Sequence, residues 1–287
     1  MLPGRGRTLS AAAARAELLL TSSSIAGESC NHRQGIDLLR EAVGHIEPFP
    51  ASKTREIWLA EILTRLGNTQ RLAGQYGEAS VTLTAALNLA GWDSLEPLRK
   101  AGVLNAQGIL AKDTGRFEES KRFYTRALEL MTGALGSNAP ELASVHHNLA
   151  GLLHAQGRFD EAEPEALRAL ALRNLSVPPD PTGEAADMSV LGAVLAGEGR
   201  LDEAENRLRT ALQIWESFYG PDHYEVGVQL NNLASIQQTR GDIDAASTGY
   251  RRALEIKERV LGRDHPEVAA LLNNIAAVEC ARAHRTC

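Results

Sequence analysis

Residues 157–170 read GRFDEAEPEALRAL, and residues 199–212 read GRLDEAENRLRTAL. The two segments start 42 residues apart, and both open with Gly-Arg and close with Ala-Leu. Related segments begin at Gly115 and Gly241 with the same spacing, and another begins at Gly74, 41 residues before Gly115. Self-similarity at a fixed period of about 20–50 residues is typical of repeat proteins. The sequence therefore predicts a repeat protein in which each unit is one supersecondary element.

Each unit has the pattern of two helices separated by a glycine. The half before Gly157 carries leucines at helical spacing, and the half after it carries alanines such as Ala162 and Ala169. A glycine at this point is expected to end the first helix, because it adopts the left-handed backbone conformation at little cost. Small side chains in the second half predict a helix that packs closely against its partner.

The start of each first helix carries a residue type that commonly caps helices. Four such residues recur at intervals of 42: Asn138, Asp180, Asp222 and Asp264. A side-chain oxygen at this position accepts a hydrogen bond from an amide of the first helical turn. A glutamate follows three residues later at three of these sites, and it predicts a capping box at each one: Glu141, Glu225 and Glu267.

The spacing of small and aromatic residues within one unit distinguishes between the known types of helical repeat. A period of 42 would also fit HEAT or armadillo repeats. Relative positions 8, 15, 17, 20 and 27 are, however, small or aromatic: Ala150, Gly157, Phe159, Ala162 and Ala169. This pattern resembles that of the tetratricopeptide repeat rather than the other two.

Two pairs of segments resemble the longer tetratricopeptide repeats of the kinesin light chain family: 220–226 (GPDHYEV) with 262–268 (GRDHPEV), and 230–234 (LNNLA) with 272–276 (LNNIA). The resemblance extends over about residues 54–280. It implies an all-α fold, a right-handed superhelical solenoid of antiparallel helix pairs. A long heptad coiled coil is missing from the sequence, so the resemblance does not imply a motor-adaptor role.

The repeats predict a division of the chain into three parts. Residues 1–50 are expected to form a degenerate helix pair, residues 51–283 an array of about five repeats with an unpaired C-terminal helix, and residues 284–287 a tail. An unpaired helix would leave one apolar stripe partly exposed: Val268, Leu272, Ile275 and Val278. Homo-oligomerisation through this helix is therefore one predicted interaction.

Composition and motifs argue against several functional classes. The net charge is −6 and the pI is about 5.8, which gives no electrostatic basis for binding nucleic acid. No apolar run approaches the roughly 20 residues that cross a membrane, and the three scattered cysteines (Cys30, Cys280 and Cys287) fit the cytoplasm. Because phosphate-binding loops, nucleophile elbows and zinc-protease motifs are missing, we expect no enzymatic activity and no cofactor.

Eight histidines raise the question of a metal site. His147 and His154 lie two helical turns apart on one face, with His146 beside them. Two imidazoles without a nearby carboxylate or thiolate make a poor zinc site. These histidines are therefore interpreted as polar residues of a solvated helix face, and no metal is expected.

Resemblance to tetratricopeptide proteins implies a concave groove, lined by the first helices, that holds a protein or peptide ligand. It also implies which residues contact this ligand: Arg65, Asn105, Lys112, His147, Asn148, Asn231, Asn232, Asn273 and Asn274. Asparagine amides donate and accept hydrogen bonds, so they can pair with a peptide backbone whatever its side chains are. The alternative is that the same amides bond to neighbouring repeats and meet no ligand.

The groove is not predicted to be uniform. Basic residues near its N-terminal end, including Arg65 and Lys112, favour an acidic segment or a terminal carboxylate. Small residues around Ser189 and Val190 predict an interruption of the ligand track in the fourth unit. The function predicted from these patterns is a non-catalytic scaffold that binds a protein or peptide. The alternative is a sensor or regulatory fragment of a larger multidomain regulator.

Overall fold

The structure, a computed structural model, describes residues 8–28 and 31–285. Within these ranges the chain forms thirteen α-helices and two short 3-10 turns, with no strand. The first six helices are α1 (Leu9–Glu28), α2 (His32–Ile46), α3 (Lys53–Leu72), α4 (Tyr76–Leu87), α5 (Pro97–Asp113) and α6 (Phe117–Leu135). The other seven are α7 (Ala143–Ala155), α8 (Phe159–Arg173), α9 (Pro181–Gly197), α10 (Leu201–Tyr219), α11 (Tyr224–Arg240), α12 (Ile243–Leu261) and α13 (Pro266–Arg285). The 3-10 turns are Trp92–Ser94 and Pro140–Leu142.

The chain separates into two compact units, residues 1–136 and residues 137–287. In the first unit α1 packs against α2, α3 against α4, and α5 against α6. In the second unit α7 pairs with α8, α9 with α10 and α11 with α12, and α13 packs on α12. Each unit is therefore a stack of antiparallel helix hairpins, and the predicted all-α repeat fold is confirmed.

A glycine in the left-handed conformation ends the first helix of five successive hairpins, as predicted. These residues have φ angles between 71° and 82°: Gly74, Gly115, Gly157, Gly199 and Gly241. At Gly157 the amide of the next residue, Arg158, turns back and donates to the carbonyl of Leu153 at 2.9 Å. This bond satisfies a carbonyl that the end of the helix would otherwise leave without a partner.

Alanines of the second helices lie in the contact with the first helices, which confirms their predicted packing role. Ala162 and Ala169 are fully buried. The first helices contribute small residues to the same interface, and at Gly108 the missing Cβ makes room for the ring of Tyr124, because a Cβ built there would lie 2.4 Å from Cε1. The hairpins are held together by this close approach of the two backbones.

The predicted helix caps are correct at only one of four sites. Asp180 caps α9 and accepts from the amide of Gly183 at 2.9 Å. The predictions for Asn138, Asp222 and Asp264, with capping boxes at Glu141, Glu225 and Glu267, are wrong. Asn138 precedes a 3-10 turn and accepts instead from Arg168 at 2.8 Å.

Histidines occupy the capping position at the start of α11 and α13. Nδ1 of His223 accepts from the amide of Glu225 at 3.3 Å, and Nδ1 of His265 accepts from the amide of Glu267 at 3.2 Å. Asp222 lies one residue before the capping position of α11. Its carboxylate forms ion pairs with Arg252 and Arg259 instead. The capping role that was predicted for the aspartates therefore belongs to the histidine that follows each of them.

The predicted apolar stripe of α13 is only partly correct. Val268 and Val278 are fully buried in the packing of this helix, so the predicted exposure of these two side chains is wrong. Leu272 is 46% exposed and Ile275 is half-buried. Cys280 is an exposed free thiol, whereas Cys30 and Cys287 lie outside the described residues. Of the helices that the structure describes, none is both long and apolar enough to cross a lipid bilayer.

Candidate functional site

A cavity of about 350 Å³ opens where the first helices of the second unit meet. Its walls come from α7, α9, α11 and α13, together with α10 and α12. The polar lining residues are His154, Asn231, Asn232, Ser235, Gln238, Thr239, Tyr250 and Asn274. Small residues of α9, among them Ala193 and Ala196, form part of the wall, and Leu201, Leu208 and Ile236 add larger apolar surface.

Three asparagines form a hydrogen-bonded chain along this cavity. Nδ2 of Asn274 donates to Oδ1 of Asn231 at 3.2 Å, and Nδ2 of Asn231 donates to Oδ1 of Asn232 at 3.3 Å. All three side chains are half-buried. The first bond joins neighbouring repeats, so the amides take part in the structural role that was the alternative to ligand binding. Each amide has two N–H donors and two acceptor lone pairs, so the three asparagines can form further hydrogen bonds besides these two.

Tyr250 brings a second helix into the site. Its hydroxyl donates to Oε1 of Gln238 at 2.9 Å, and its ring is buried in a core cluster that also contains Ala234. This bond orients the side-chain amide of Gln238 through its oxygen, so the Nε2 group of Gln238 remains available as a donor.

The histidines of α7 are not part of a solvated face, so that prediction is wrong. Nδ1 of His146 lies 2.6 Å from Oε2 of Glu165, and Nδ1 of His147 lies 3.0 Å from Oδ1 of Asp187. Asp187 is fully buried, and its other oxygen accepts from Nε of Arg173 at 3.0 Å. A buried carboxylate needs such partners, because an unpaired charge in the interior is strongly unfavourable. The network joins α7, α8 and α9.

His154 lies at the edge of the cavity, where its ring centroid is 5.5 Å from that of Phe159. In the part of the chain that the structure describes, no group of three or more His, Cys, Asp or Glu residues is arranged to hold a metal ion. The imidazoles of α7 are thus accounted for by carboxylate pairing and ring packing.

The predicted ligand contacts of the first unit are Arg65, Asn105 and Lys112. Arg65 borders a cavity of about 200 Å³ between α3 and α5, together with Arg99. Both guanidinium groups contact Glu61, at 3.0 Å and 3.2 Å. Lys112 lies 3.8 Å from Asp113. Much of the positive charge that was predicted to attract a ligand is therefore paired within the chain.

A second polar cluster lies where α11 and α13 begin. The hydroxyl of Tyr224 and the ammonium group of Lys257 both donate to a carboxylate oxygen of Glu267 at 2.8 Å. Burial, together with the charge of Glu267, raises the pKa of Glu225 to about 7, although Lys257 acts in the opposite direction. Burial also raises the pKa of Glu267, but Lys257 and Tyr224 outweigh it and hold that pKa below its ordinary value. Glu225 therefore keeps its proton to a higher pH than an ordinary glutamate does, while Glu267 loses its proton at a lower pH than usual.

A family model described as the tetratricopeptide repeat matches residues 99–174, 184–258 and 228–286. These segments span more than half of the chain, and they include the hairpins that form the cavity. The chain belongs to the tetratricopeptide repeat family. A comparison of its sequence with curated proteins found no match.

Solved structures share this tetratricopeptide fold at low sequence identity. BtubC (BKLC) from P. vanneervenii has a TM-score of 0.57 and 20% identity, over 86% of this chain and 92% of that chain. A putative kinesin light chain from Podosopora anserina has a TM-score of 0.51 and 18% identity, over 67% and 90%. A Rap protein complexed with Competence and Sporulation Factor has a TM-score of 0.59 and 14% identity, over 93% and 87%. The resemblance to kinesin-light-chain-type repeats is confirmed at the level of the fold.

The predicted ligand contacts of the second tetratricopeptide unit do not all meet. Asn231, Asn232 and Asn274 line one cavity. His147 and Asn148 are half-buried on α7 and lie outside its lining, and Asn273 is exposed on α13. Ala193, Ala196 and Gly197 of α9 form part of the cavity wall, whereas Ser189 and Val190, where an interruption of the track was predicted, lie outside its lining.

Sequence reasoning missed Tyr250 and Asp187. Tyr250 had a detectable signal, since Tyr124 stands three periods of 42 residues earlier in the same part of a second helix. Asp187 had no such signal, because its partners His147 and Arg173 lie in different helices and only the fold brings them together.

Proposed function

We propose that the chain is a non-catalytic scaffold that binds a protein or peptide partner in the cavity of the second unit. The observation that carries this proposal is the meeting of Asn231, Asn232 and Asn274 in one open cavity, with hydrogen-bonding capacity beyond the bonds that they make to each other. The main chain of an extended ligand supplies donors and acceptors that match this capacity.

The shape of the cavity supports the same conclusion. Its volume of about 350 Å³ falls within the range of roughly 300–1,000 Å³ that is usual for ligand cavities. Ala193, Ala196 and Gly197 carry little or no side chain, so a ligand backbone can approach α9 closely. Partner binding is also common to helical-repeat proteins, and the Rap protein with this fold was solved as a complex.

Affinity capture with a blocked variant tests the proposal. Ala193→Arg fills the cavity with a long side chain, whereas Ala171→Arg places the same side chain on the exposed surface of α8. Partners that are captured by the wild-type chain and by Ala171→Arg, but lost with Ala193→Arg, support the proposal. Calorimetric titration of each purified partner then gives the affinity, and a melting curve for each variant verifies its folding. Equal capture by all three chains would contradict binding in this cavity.

The asparagines should contribute measurably to that affinity. A hydrogen bond contributes about 0.5–1.5 kcal/mol net, so Asn232→Ala should weaken partner binding by roughly 2- to 10-fold. The same change should lower stability little, because Asn232 is half-buried and makes one bond of 3.3 Å to Asn231.

We also propose self-association through α13, for which the exposed side chain of Leu272 is the supporting observation. Leu272→Lys should then convert a dimer to a monomer in analytical ultracentrifugation, while Ala171→Lys should leave the dimer intact. A wild-type chain that sediments as a monomer at high concentration would contradict this proposal.

A further inference from the structure

We infer that the cavity of the second unit selects an uncharged, extended peptide segment and disfavours a charged side chain. This inference rests on the proposed function and adds to it the chemical class of the ligand. It follows from which groups line the cavity, which of their atoms are already bonded, and where the neighbouring charges are directed.

The described lining of the cavity contains no Asp, Glu, Lys or Arg side chain. Arg240 follows the lining residue Thr239 in the sequence, but its guanidinium group forms ion pairs with Asp202 and Glu205 on α10. A ligand carboxylate or ammonium group that entered the cavity would lose part of its hydration and would meet no Asp, Glu, Lys or Arg side chain in the described lining. Such desolvation costs much more for a charge than for a neutral polar group.

The hydrogen bonds inside the cavity also decide what it offers to a ligand. Oδ1 of Asn231, Oδ1 of Asn232 and Oε1 of Gln238 each accept a bond from another residue of the chain. The Nδ2 group of Asn232 and the Nε2 group of Gln238 donate to no other described residue. The cavity therefore presents N–H donors on neutral side chains. Carbonyl oxygens of an extended main chain, or of Asn and Gln side chains, are matching acceptors.

The cavity of the first unit differs in this respect. Arg65, Arg99 and Glu61 border it, so that cavity carries charge of both signs. The absence of charge is therefore a property of the described lining in the second unit, and not a general property of the repeats in this chain.

Defined synthetic peptides test the inference on the full chain. An array of acetylated and amidated peptides, in which each position is in turn Asn, Ser, Ala, Asp or Lys, identifies the segment that binds and the position that enters the cavity. At that position a neutral residue should bind best, and Asp or Lys should weaken binding about tenfold or more. Fluorescence anisotropy of the best peptide should show little dependence on salt concentration, because no ion pair forms in this cavity.

A single substitution reverses the expected preference. Asn232→Asp introduces a negative charge and keeps the oxygen that accepts from Asn231. This variant should bind the Lys-containing peptide about tenfold more tightly than the wild-type chain does. Asn206→Asp adds the same charge on the exposed surface of α10, outside the cavity lining, and should leave the preference unchanged. Melting curves show whether the two variants retain the fold.

The outcomes separate this inference from the proposed function. If peptides bind but the preferred residue in the cavity is Asp or Lys, or if Asn232→Asp and Asn206→Asp behave alike, the charge selectivity is overturned and peptide binding stands. If no peptide in the array binds to the wild-type chain, both the inference and the proposed peptide-binding function are overturned.

Discussion

The protonation of Glu225 depends on charged side chains near the ends of three helices. This residue lies in the first turn of α11, close to the carboxylate of Glu267 on α13 and to Lys257 on α12. Burial and the like charge of Glu267 favour the neutral acid, whereas Lys257 and Tyr224 stabilise the ionised form of Glu267. The two carboxyl groups of this cluster therefore have pKa values shifted in opposite directions, upward for Glu225 and downward for Glu267.

This difference predicts a pH-dependent stability. An acid whose pKa rises on folding binds protons more tightly in the folded chain than in the unfolded chain. Its contribution to the free energy of unfolding is therefore complete below the unfolded pKa and is lost as the pH rises through the folded pKa. With a folded pKa of about 7 for Glu225, the free energy of unfolding should fall by roughly 1–3 kcal/mol between about pH 5 and about pH 8 through this residue alone. Denaturant titrations at the two pH values measure the change.

Glu225→Gln should remove that part of the pH dependence, because glutamine is neutral at both pH values. Glu216→Gln, on the exposed surface of α10, serves as the matched control and should keep the wild-type dependence. If Glu225→Gln and the wild-type chain lose equal stability between the two pH values, the raised pKa of Glu225 is wrong.

At the level of the helices, three hairpins match a glycine on the first helix to a larger side chain sixteen positions later on the second helix. The pairs are Gly67 with Leu83, Gly108 with Tyr124 and Gly192 with Leu208. Ala234 and Tyr250, which belong to one core cluster, occupy the equivalent positions of a fourth hairpin. The larger partner fills the space that the small residue leaves, so the two helices approach closely at this point. Ala150 and Ala166 occupy the equivalent positions in the remaining hairpin of the second unit.

Two glycines of α5 should therefore respond to the same substitution with opposite signs. A Cβ at Gly108 would lie 2.4 Å from the buried ring of Tyr124, so Gly108→Ala should destabilise the chain by about 1–3 kcal/mol. Gly102 is exposed, with no atom within 4 Å of its Cβ position, and Gly102→Ala should stabilise the helix by about 0.5–1 kcal/mol. Thermal and denaturant unfolding of both variants measure the difference, and equal stability of the two would refute the proposed packing.

Helix boundaries and turns could be predicted from the sequence because they depend on local chemistry. The glycine that ends each first helix, such as Gly157, acts through its own backbone conformation. The caps at Asp222 and Asp264 could not be predicted reliably, because the carboxylate of an aspartate before a helix can also pair with a basic side chain instead of the helix amides. Asp222 pairs with arginines that lie 30 and 37 residues later, and these pairings depend on how one hairpin packs on the next.

At the level of the molecule, the fold followed from the repeat period, while the site depended on contacts between repeats. Periodicity placed Asn231, Asn232 and Asn274 on equivalent faces of the first helices, and the structure brings these three together. Periodicity could not show that these asparagines would form hydrogen bonds with one another, or that the hydroxyl of Tyr250 would donate to Gln238. Such details require distances between repeats, and a pattern of residue types does not contain them.

The buried contact of Asp187 with His147 and Arg173 has a consequence for the covalent continuity of the chain. The loop between α8 and α9 is well exposed, with Leu175 at 55% and Val177 at 95%, and it separates Asp187 from both partners along the chain. Residues 1–175 and 176–287, expressed as two polypeptides, should therefore reassemble as a split protein that elutes together in size-exclusion chromatography. Asp187→Leu should abolish the reassembly, whereas Asp202→Leu, on the exposed surface of α10, should permit it. Fragments that never associate would show that the peptide link, and not this buried carboxylate with its helix packing, keeps the two parts together.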